Sequence, residues 1–308
     1  MKIVFFGTPD FAVATLQKLI ENKFDVVGVV TAPDKPAGRG QQINYSAVKV
    51  FALEKGVHIM QPISMKDDSF CEALKNLNAD IQIVVAFRMM PEKVWNMPPL
   101  GTMNLHGSLL PQYRGAAPIN WAIINGEKTT GVTTFLLKHE IDTGNILMRK
   151  EVDIMPEDDF GTMYEKLKSI GAVLVVDSLN KIITGNYTEI PQEEFGFPEL
   201  INAPKIYKEL GKINPKNDVE SVHNLVRGLS PIPAAYIEFD DKSNKPAQLK
   251  IFKTTFETNV NSVAGGFVTD NKTFLKYGCI NGLLNILELQ LQGKKRMKVD
   301  EFLRGYKF

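Results

Sequence analysis

The sequence predicts an α/β fold, with a doubly wound, mostly parallel sheet in residues 1–189 and a smaller β-barrel in the tail. Three observations predict it. Strand and helix signals alternate through the first half, which is the rhythm of βαβ units. The periodicity fades between Gly185 and Asn214. The tail then breaks into short β-like runs separated by turn residues.

Element by element, Lys2–Gly7 reads as a buried strand, Phe11–Asn22 as an amphipathic helix and Phe24–Thr31 as a second strand. Ser46–Lys55 and Val57–Met60 continue the alternation. Further buried strands are expected at Ile81–Ala86, Thr102–Leu105, Val132–Leu137 and Ile146–Ile154, with the turn Asp142-Thr143-Gly144 between the last two. A long helix, Phe160–Ile183, closes this part. The stretch Ile190-Pro-Gln-Glu-Glu-Phe-Gly-Phe-Pro198 reads as a linker, because Pro, Glu and Gly break periodicity. After a short helix, Val219–Arg227, strands are expected at Ala235–Phe239, Leu249–Thr254, Gly266–Thr269, Thr273–Tyr277 and Leu283–Gln290. The expected domains are residues 1–189, a linker at 190–205, and residues 206–308. A chain of 308 residues suits two domains, since single cores stop growing at about 250–300 residues.

Composition narrows the classes. A hydrophobic fraction of 44% with 23% charged residues is that of an ordinary globular protein, which excludes a disordered chain. Met1–Gly7 runs straight into Thr8-Pro9-Asp10, without the basic start and cleavage site of a secretory signal. No apolar run approaches the roughly 18 residues of a membrane span, so the expected location is the cytoplasm. Cys71 and Cys279 form no paired motif, which excludes a disulfide framework and a thiolate zinc site. His58, His106, His139 and His223 form no His-x-x-x-His pair, and no metal is expected. No Gly-x-Gly-x-x-Gly, Walker A or Gly-x-Ser-x-Gly pattern occurs, which removes dinucleotide, NTPase and serine-hydrolase readings. Net charge is uneven. Residues 206–308 hold 16 Lys and Arg against 11 Asp and Glu, and residues 1–205 hold 20 against 24. A tail at +5 beside a head at −4 is compatible with phosphate contacts.

The stretch from Met103 to Pro118 carries the chemistry. Asn104 and His106 are two apart at the end of a strand, so both side chains share a face. In an open α/β sheet that end is where ligands bind. An amide beside an imidazole makes a plausible oxyanion pair. Asp142, in its turn after the strand Val132–Leu137, is expected to bring a carboxylate to the same end of the sheet. Together they allow acid–base work on a carbonyl without a nucleophilic Ser or Cys. Upstream, the loop Ala32-Pro-Asp-Lys-Pro-Ala-Gly-Arg-Gly-Gln-Gln42 carries Lys35 and Arg39, a cationic finger for an anionic substrate.

At these residues the sequence resembles the folate-dependent formyltransferases. The likeness is carried by Gly7-Thr-Pro-Asp-Phe-Ala12, Pro33-Asp-Lys-Pro-Ala-Gly-Arg-Gly40, Gln61-Pro62, Asn104-x-His106-x-Ser108-Leu-Leu-Pro111-x-Tyr-Arg-Gly115 and Asp142-Thr-Gly144. Arg227-Gly-Leu-Ser-Pro-Ile-Pro233 and Gln292-Gly-Lys-Lys-Arg-Met297 are similar to the tail of the tRNA-directed members. The resemblance implies a Rossmann-like head and an OB-like, tRNA-binding barrel. It implies 10-formyltetrahydrofolate as the formyl donor and the amine of methionine-charged initiator tRNA as the acceptor. Asn104 and His106 are then the oxyanion donors, with His106 as imidazolium, and Asp142 orients His106 and helps relay protons. The folate contacts implied are Ala86, Phe87, Arg88 and Met89, with Ser108, Leu109, Leu110 and Pro111 shaping the pocket. Arg39 and Lys35 are implied at the tRNA acceptor end, and Lys294, Lys295 and Arg296 at the tRNA backbone. The family pattern is departed from at Phe87-Arg88, where a Tyr-Gly pair is commoner, and at Glu140, where Gly commonly stands. Formylation of a small amine, an aminosugar nucleotide or glycinamide ribonucleotide, is the competing enzyme reading. Such an enzyme has no need of the tail. No protein partner is indicated, and a monomer is expected.

Overall fold

β1 (Lys2–Gly7) is apolar on both faces, with Ile3, Val4, Phe5 and Phe6 all fully buried, as a central strand of a parallel sheet requires. It leads into α1 (Asp10–Glu21), β2 (Asp25–Val30), the short β3 (Lys35–Ala37) and β4 (Gln42–Asn44), α2 (Ala47–Glu54) and β5 (Ile59–Met60). Next come α3 (Asp68–Asn76), β6 (Ile81–Val85), α4 (Glu92–Trp95), β7 (Thr102–His106), β8 (Arg114–Gly115) and α5 (Pro118–Ile124). β9 (Thr129–Leu136), β10 (Ile146–Asp153) and the long α6 (Phe160–Thr184) complete the first half. A 3-10 helix (Gln192–Phe195), β11 (Asn202–Ala203) and a second 3-10 turn (Lys208–Gly211) precede α7 (Val219–Leu229). The tail holds β12 (Ala235–Asp240), β13 (Pro246–Thr258), β14 (Phe267–Thr269), β15 (Leu275–Cys279), β16 (Gly282–Leu291), β17 (Met297–Lys298) and α8 (Val299–Gly305).

The computed structural model describes residues 1–37, 42–241 and 244–308. They form two units that interleave along the chain. One is Met1–Gly115, Gly131–Val152 and Tyr164–Asn202; the other is Ala116–Thr130, Asp153–Met163 and Ala203–Phe308. No helix among the described residues is long and apolar enough to cross a membrane.

The first unit is built on a sheet of order β10-β9-β7-β6-β1-β2-β5. The pairs from β7 through β6, β1 and β2 to β5 are parallel, while β9 runs antiparallel to β7. This is the mostly parallel, doubly wound sheet that the sequence predicts. α6 covers one face, and its Gly171 lets it lie close on β7: a Cβ there would stand 2.7 Å from Leu105. On the other face Phe6, Val84, Phe70, Leu74, Met90 and Val94 form a core. The helix α3 escapes the sequence reading because only Phe70 and Leu74 of its nine residues are buried. A capping hydrogen bond from the Phe70 amide to Asp67 Oδ1, 3.1 Å, starts it.

The second unit carries an antiparallel sheet of order β12-β13-β16-β15-β14, with β17 against β16. Register shifts between Ile251 and Thr254 bend the 13-residue β13, as bulges do, and the sheet curls into a half-barrel. Val219, Val222, Val226 and Leu229 of α7 fill it, against Ile237, Leu249, Ile251, Leu284 and Ile286. The Arg227–Pro233 motif is a structural joint in this unit. Arg227 donates through Nε to the Asp158 carbonyl (2.7 Å) and through Nη2 to the Met155 carbonyl (2.8 Å). His223, whose Nδ1 lies 2.8 Å from Thr254 Oγ1, is held well below the usual imidazole range, at about 4, by burial and by Arg227.

Candidate active site

Asn104 and His106 share one face of β7, and Met103 and Leu105 take the other, beneath α6. Asn104 is half-buried, with Val84 of β6 as its neighbour in register. Among the described residues its amide makes no side-chain hydrogen bond, which leaves two donors for a ligand. His106 is 6% exposed. Its Nε2 lies 2.8 Å from the Tyr113 carbonyl, and a carbonyl only accepts, so Nε2 carries the hydrogen. Nδ1 is the ring atom left for chemistry. It faces Asp142 Oδ2 at 3.7 Å, close enough for charge to be felt and too far for a direct hydrogen bond.

Asp142 arrives by a route the sequence did not specify. Because β9 is antiparallel, Thr133 stands opposite His106 and Leu136 opposite Met103. β9 therefore ends about 10 Å from His106, at the other end of β7. The loop 137–144 covers that distance by folding back over the sheet face. The Leu137 amide bonds the Thr102 carbonyl (2.8 Å), and Gly144 lies so close to the Leu136 carbonyl that a Cβ would stand 1.6 Å from its oxygen. Asp142 has φ +56, in the left-handed region, and its Oδ2 accepts from the Gly115 amide at 2.9 Å. Gly144→Ala is expected to lower Tm by roughly 3–10 °C and to reduce turnover with it, since the backbone clash forces the loop off the sheet. An unchanged melting curve would show that the loop accepts a methyl group.

The Ser108–Pro111 loop shapes the surroundings through its backbone. Ser108, Leu110 and Pro111 are buried, and Leu109 packs on Gly131 of β9. Thr133 Oγ1 donates to the Ser108 carbonyl (2.7 Å) and accepts from the Leu110 amide (3.1 Å). Arg149 donates to the Leu110 carbonyl at 3.0 Å. Ala86, Arg88 and Met89 are exposed beyond the end of β6, and Ala86 has φ +47. The Phe87-Arg88 pair has a local reason. Phe87 packs edge-on against Phe6, with centroids 5.6 Å apart, and Arg88 donates to the Pro62 and Ile63 carbonyls.

The cations are less concentrated than the sequence implies. Lys35 is exposed on β3, and Arg39 lies outside the described residues. In the second unit Lys294 is exposed, whereas Lys295 faces Glu301 at 3.5 Å and Arg296 donates twice to Glu288 Oε2, at 2.8 and 2.6 Å. Tyr113, Gly115, Thr133 and Gln192 join the site without having been singled out. Tyr113 and Gly115 act through backbone atoms, which carry no residue signature. Thr133 is one of four threonines in β9, so the sequence marks none of them out.

Comparisons with known proteins place the chain among its relatives. The model of the family described as formyl transferase matches residues 1–179, and that of formyl transferase, C-terminal domain, matches residues 205–307. The chain is 51% identical over 308 residues to the methionyl-tRNA formyltransferase of Bacteroides fragilis, covering 99% of this chain and 95% of that one. Among solved structures it is similar to the N-formyltransferase from Helicobacter canadensis in complex with folinic acid and dTDP-3-aminofucose. The TM-score is 0.69 and the identity 22%, over 96% of this chain and 100% of that one. It is also similar to HypX from Aquifex aeolicus in complex with tetrahydrofolic acid, at a TM-score of 0.65 and 19% identity. All of this chain is covered there, and it spans 48% of that protein's length. At those identities the structural likeness speaks for the fold alone. Through both of its matched regions and its near-full-length relative, the chain belongs to the formyl transferase family.

Proposed function

We propose that the chain transfers the formyl group of 10-formyltetrahydrofolate to the free amine of methionyl-tRNA, the initiator. The products are N-formylmethionyl-tRNA and tetrahydrofolate, for translation initiation. The observation that carries the chemistry is the His106 arrangement: Nε2 is committed to the Tyr113 carbonyl and Nδ1 is turned to Asp142, two residues along β7 from the open Asn104 amide. The 51% identical relative named for this reaction supports the choice of acceptor.

The donor's flat ring system suits exposed apolar side chains. Met89 is 75% exposed and Ile141 59% exposed, apolar side chains on the two loops that follow β6 and β9. Attack by the neutral amine makes a nitrogen–carbon bond and moves charge onto the formyl oxygen. Asn104 donates an amide hydrogen to that oxygen, and His106, as imidazolium with a hydrogen on each ring nitrogen, donates from Nδ1. Asp142, which only accepts, draws the proton that the amine gives up. Collapse of the adduct breaks the bond between the formyl carbon and the folate nitrogen, and Asp142 passes its proton to that departing nitrogen, so the transfer is balanced.

The first unit, which carries β7 and extends to Asn202, houses this step. Residues 206–308 direct the enzyme to tRNA. Arg39 and Lys35 contact the acceptor end, and Lys294, Lys295 and Arg296 the sugar-phosphate backbone. Lys295 and Arg296 exchange Glu301 and Glu288 for phosphates when they do so, which makes binding salt-dependent. A formyl-transfer assay with methionine-charged initiator tRNA, uncharged tRNA, an aminosugar nucleotide and glycinamide ribonucleotide tests the reading. Transfer to the charged tRNA alone is expected. Efficient transfer to a small amine would overturn the acceptor assignment.

A further inference from the structure

We infer that Gln192 is a positioning residue that fixes the direction of the Asp142 carboxylate. Gln192 opens the 3-10 helix after α6, beyond the residues matched by the catalytic family model, and is 2% exposed. Every polar atom of its side chain is committed. Arg114 approaches Oε1 with Nε at 3.0 Å and Nη2 at 2.7 Å, and a guanidinium only donates, so the amide cannot be the other way round. Nε2 is thereby aimed at the carbonyls of Asp142 and Gly144, each at 2.8 Å.

Two grips on Asp142 result. Gln192 holds its backbone, and the Gly115 amide holds its carboxylate at 2.9 Å. Both grips originate in one dipeptide, since Arg114 orients Gln192 and Gly115 donates directly. Asp142 has φ +56, a conformation that a residue other than glycine keeps only where its surroundings enforce it. Without the Gln192 amide, the turn is free to relax toward φ below zero. That swings the carboxylate away from His106 Nδ1, now 3.7 Å off.

The segment that delivers Gln192 is anchored independently of it. Ile190 and Ile146 exchange backbone hydrogen bonds of 2.8 and 2.9 Å. Phe195 packs on Leu110, Phe135 and Ile146, with the Arg149 guanidinium 4.3 Å from its ring centroid. Removing one amide therefore leaves the segment seated. The inference rests on the proposed role of Asp142 in proton transfer, and the test separates the two.

The test is a kinetic cycle on the full chain with Gln192→Met, Asp142→Asn and the double variant, assayed for formyl transfer to methionyl-tRNA. Gln192→Met keeps length and bulk but loses the polar end. It is expected to lower kcat about 10- to 100-fold, as a displacement near 1 Å does, with KM for both substrates within about twofold. In the Asp142→Asn background the same change is expected to cost less than about threefold, because the carboxylate it aims is gone. A wild-type kcat for Gln192→Met, or an undiminished loss in the double variant, would overturn the inference. Wild-type turnover by Asp142→Asn would instead bring down the proton-transfer reading first. Should Gln192→Met fail to fold, Gln192→Glu carries the same cycle, since it keeps the contact with Arg114 and sets a carboxylate against the two carbonyls.

Discussion

Asp142→Asn is expected to cut kcat for formyl transfer by about 10²- to 10⁴-fold, the span usual for loss of a positioned acid–base group. The substitution is nearly isosteric. An Asn Oδ1 still accepts from the Gly115 amide, now bonded to Asp142 Oδ2 at 2.9 Å, so the loop keeps its anchor. Gln192 still holds the backbone carbonyl at 2.8 Å. What is lost is the negative charge facing His106 Nδ1 and the capacity to draw a proton from the amine. The measurement is kcat at saturating donor and methionyl-tRNA, alongside a melting curve. A folded Asp142→Asn with kcat within threefold of wild type would remove Asp142 from the chemistry.

His106 permits a sharper experiment because its two ring nitrogens have different work. A Gln side chain places its amide where Nε2 stands and reaches the Tyr113 carbonyl, now 2.8 Å from that nitrogen. An Asn side chain instead places a donor near the position of Nδ1. His106→Gln is expected to preserve the fold and lose about 10²- to 10³-fold in kcat, the cost of one donor to a developing oxyanion. His106→Asn is expected to lose more stability, through the abandoned Tyr113 contact, and to retain more activity per folded molecule. The reverse order would place the working nitrogen at Nε2 and contradict the ring orientation that the Tyr113 carbonyl imposes.

Much of the first unit was legible because its signals are strong and local. β1 carries the continuous apolar run Ile3–Phe6, β6 is apolar but for Gln82, and α6 is a long helix whose expected end differs from the observed one by a single residue, Thr184. α5 was not legible. Its residues Pro118-Ile-Asn-Trp-Ala-Ile-Ile read as a short apolar run of no fixed period, and burial of Ile119, Asn120, Ala122 and Ile123 makes the helix worthwhile. Asn104 and His106 could be read as a pair because a strand's two-residue period puts both on one face.

The partners of that pair are a different matter. Asp142 lies 3.7 Å from His106, but the expected route, a turn at the same end of the sheet, overlooked that β9 runs antiparallel. Strand direction depends on which neighbour a strand finds, and that is a property of the assembled sheet. Gln192 lies 50 residues from Asp142 in a stretch whose composition reads as linker. Its role comes from three contacts made only once the chain has folded. Tyr113 and Gly115 contribute a carbonyl and an amide that any residue has, so the parts of the site that orient the catalytic groups were the parts least visible in sequence.

The single-turnover rate of formyl transfer from 10-formyltetrahydrofolate to methionyl-tRNA, compared between the wild-type chain and Asn104→Ala, tests the central claim most directly. It isolates the chemical step from substrate binding and product release. Asn104 is half-buried and its amide has no side-chain partner among the described residues, so truncation leaves no broken contact inside the fold. A rate about 10²- to 10³-fold below wild type, with donor binding retained, is the result predicted for a lost oxyanion donor. A folded Asn104→Ala that transfers formyl at the wild-type rate would contradict it and place the reaction elsewhere on the chain.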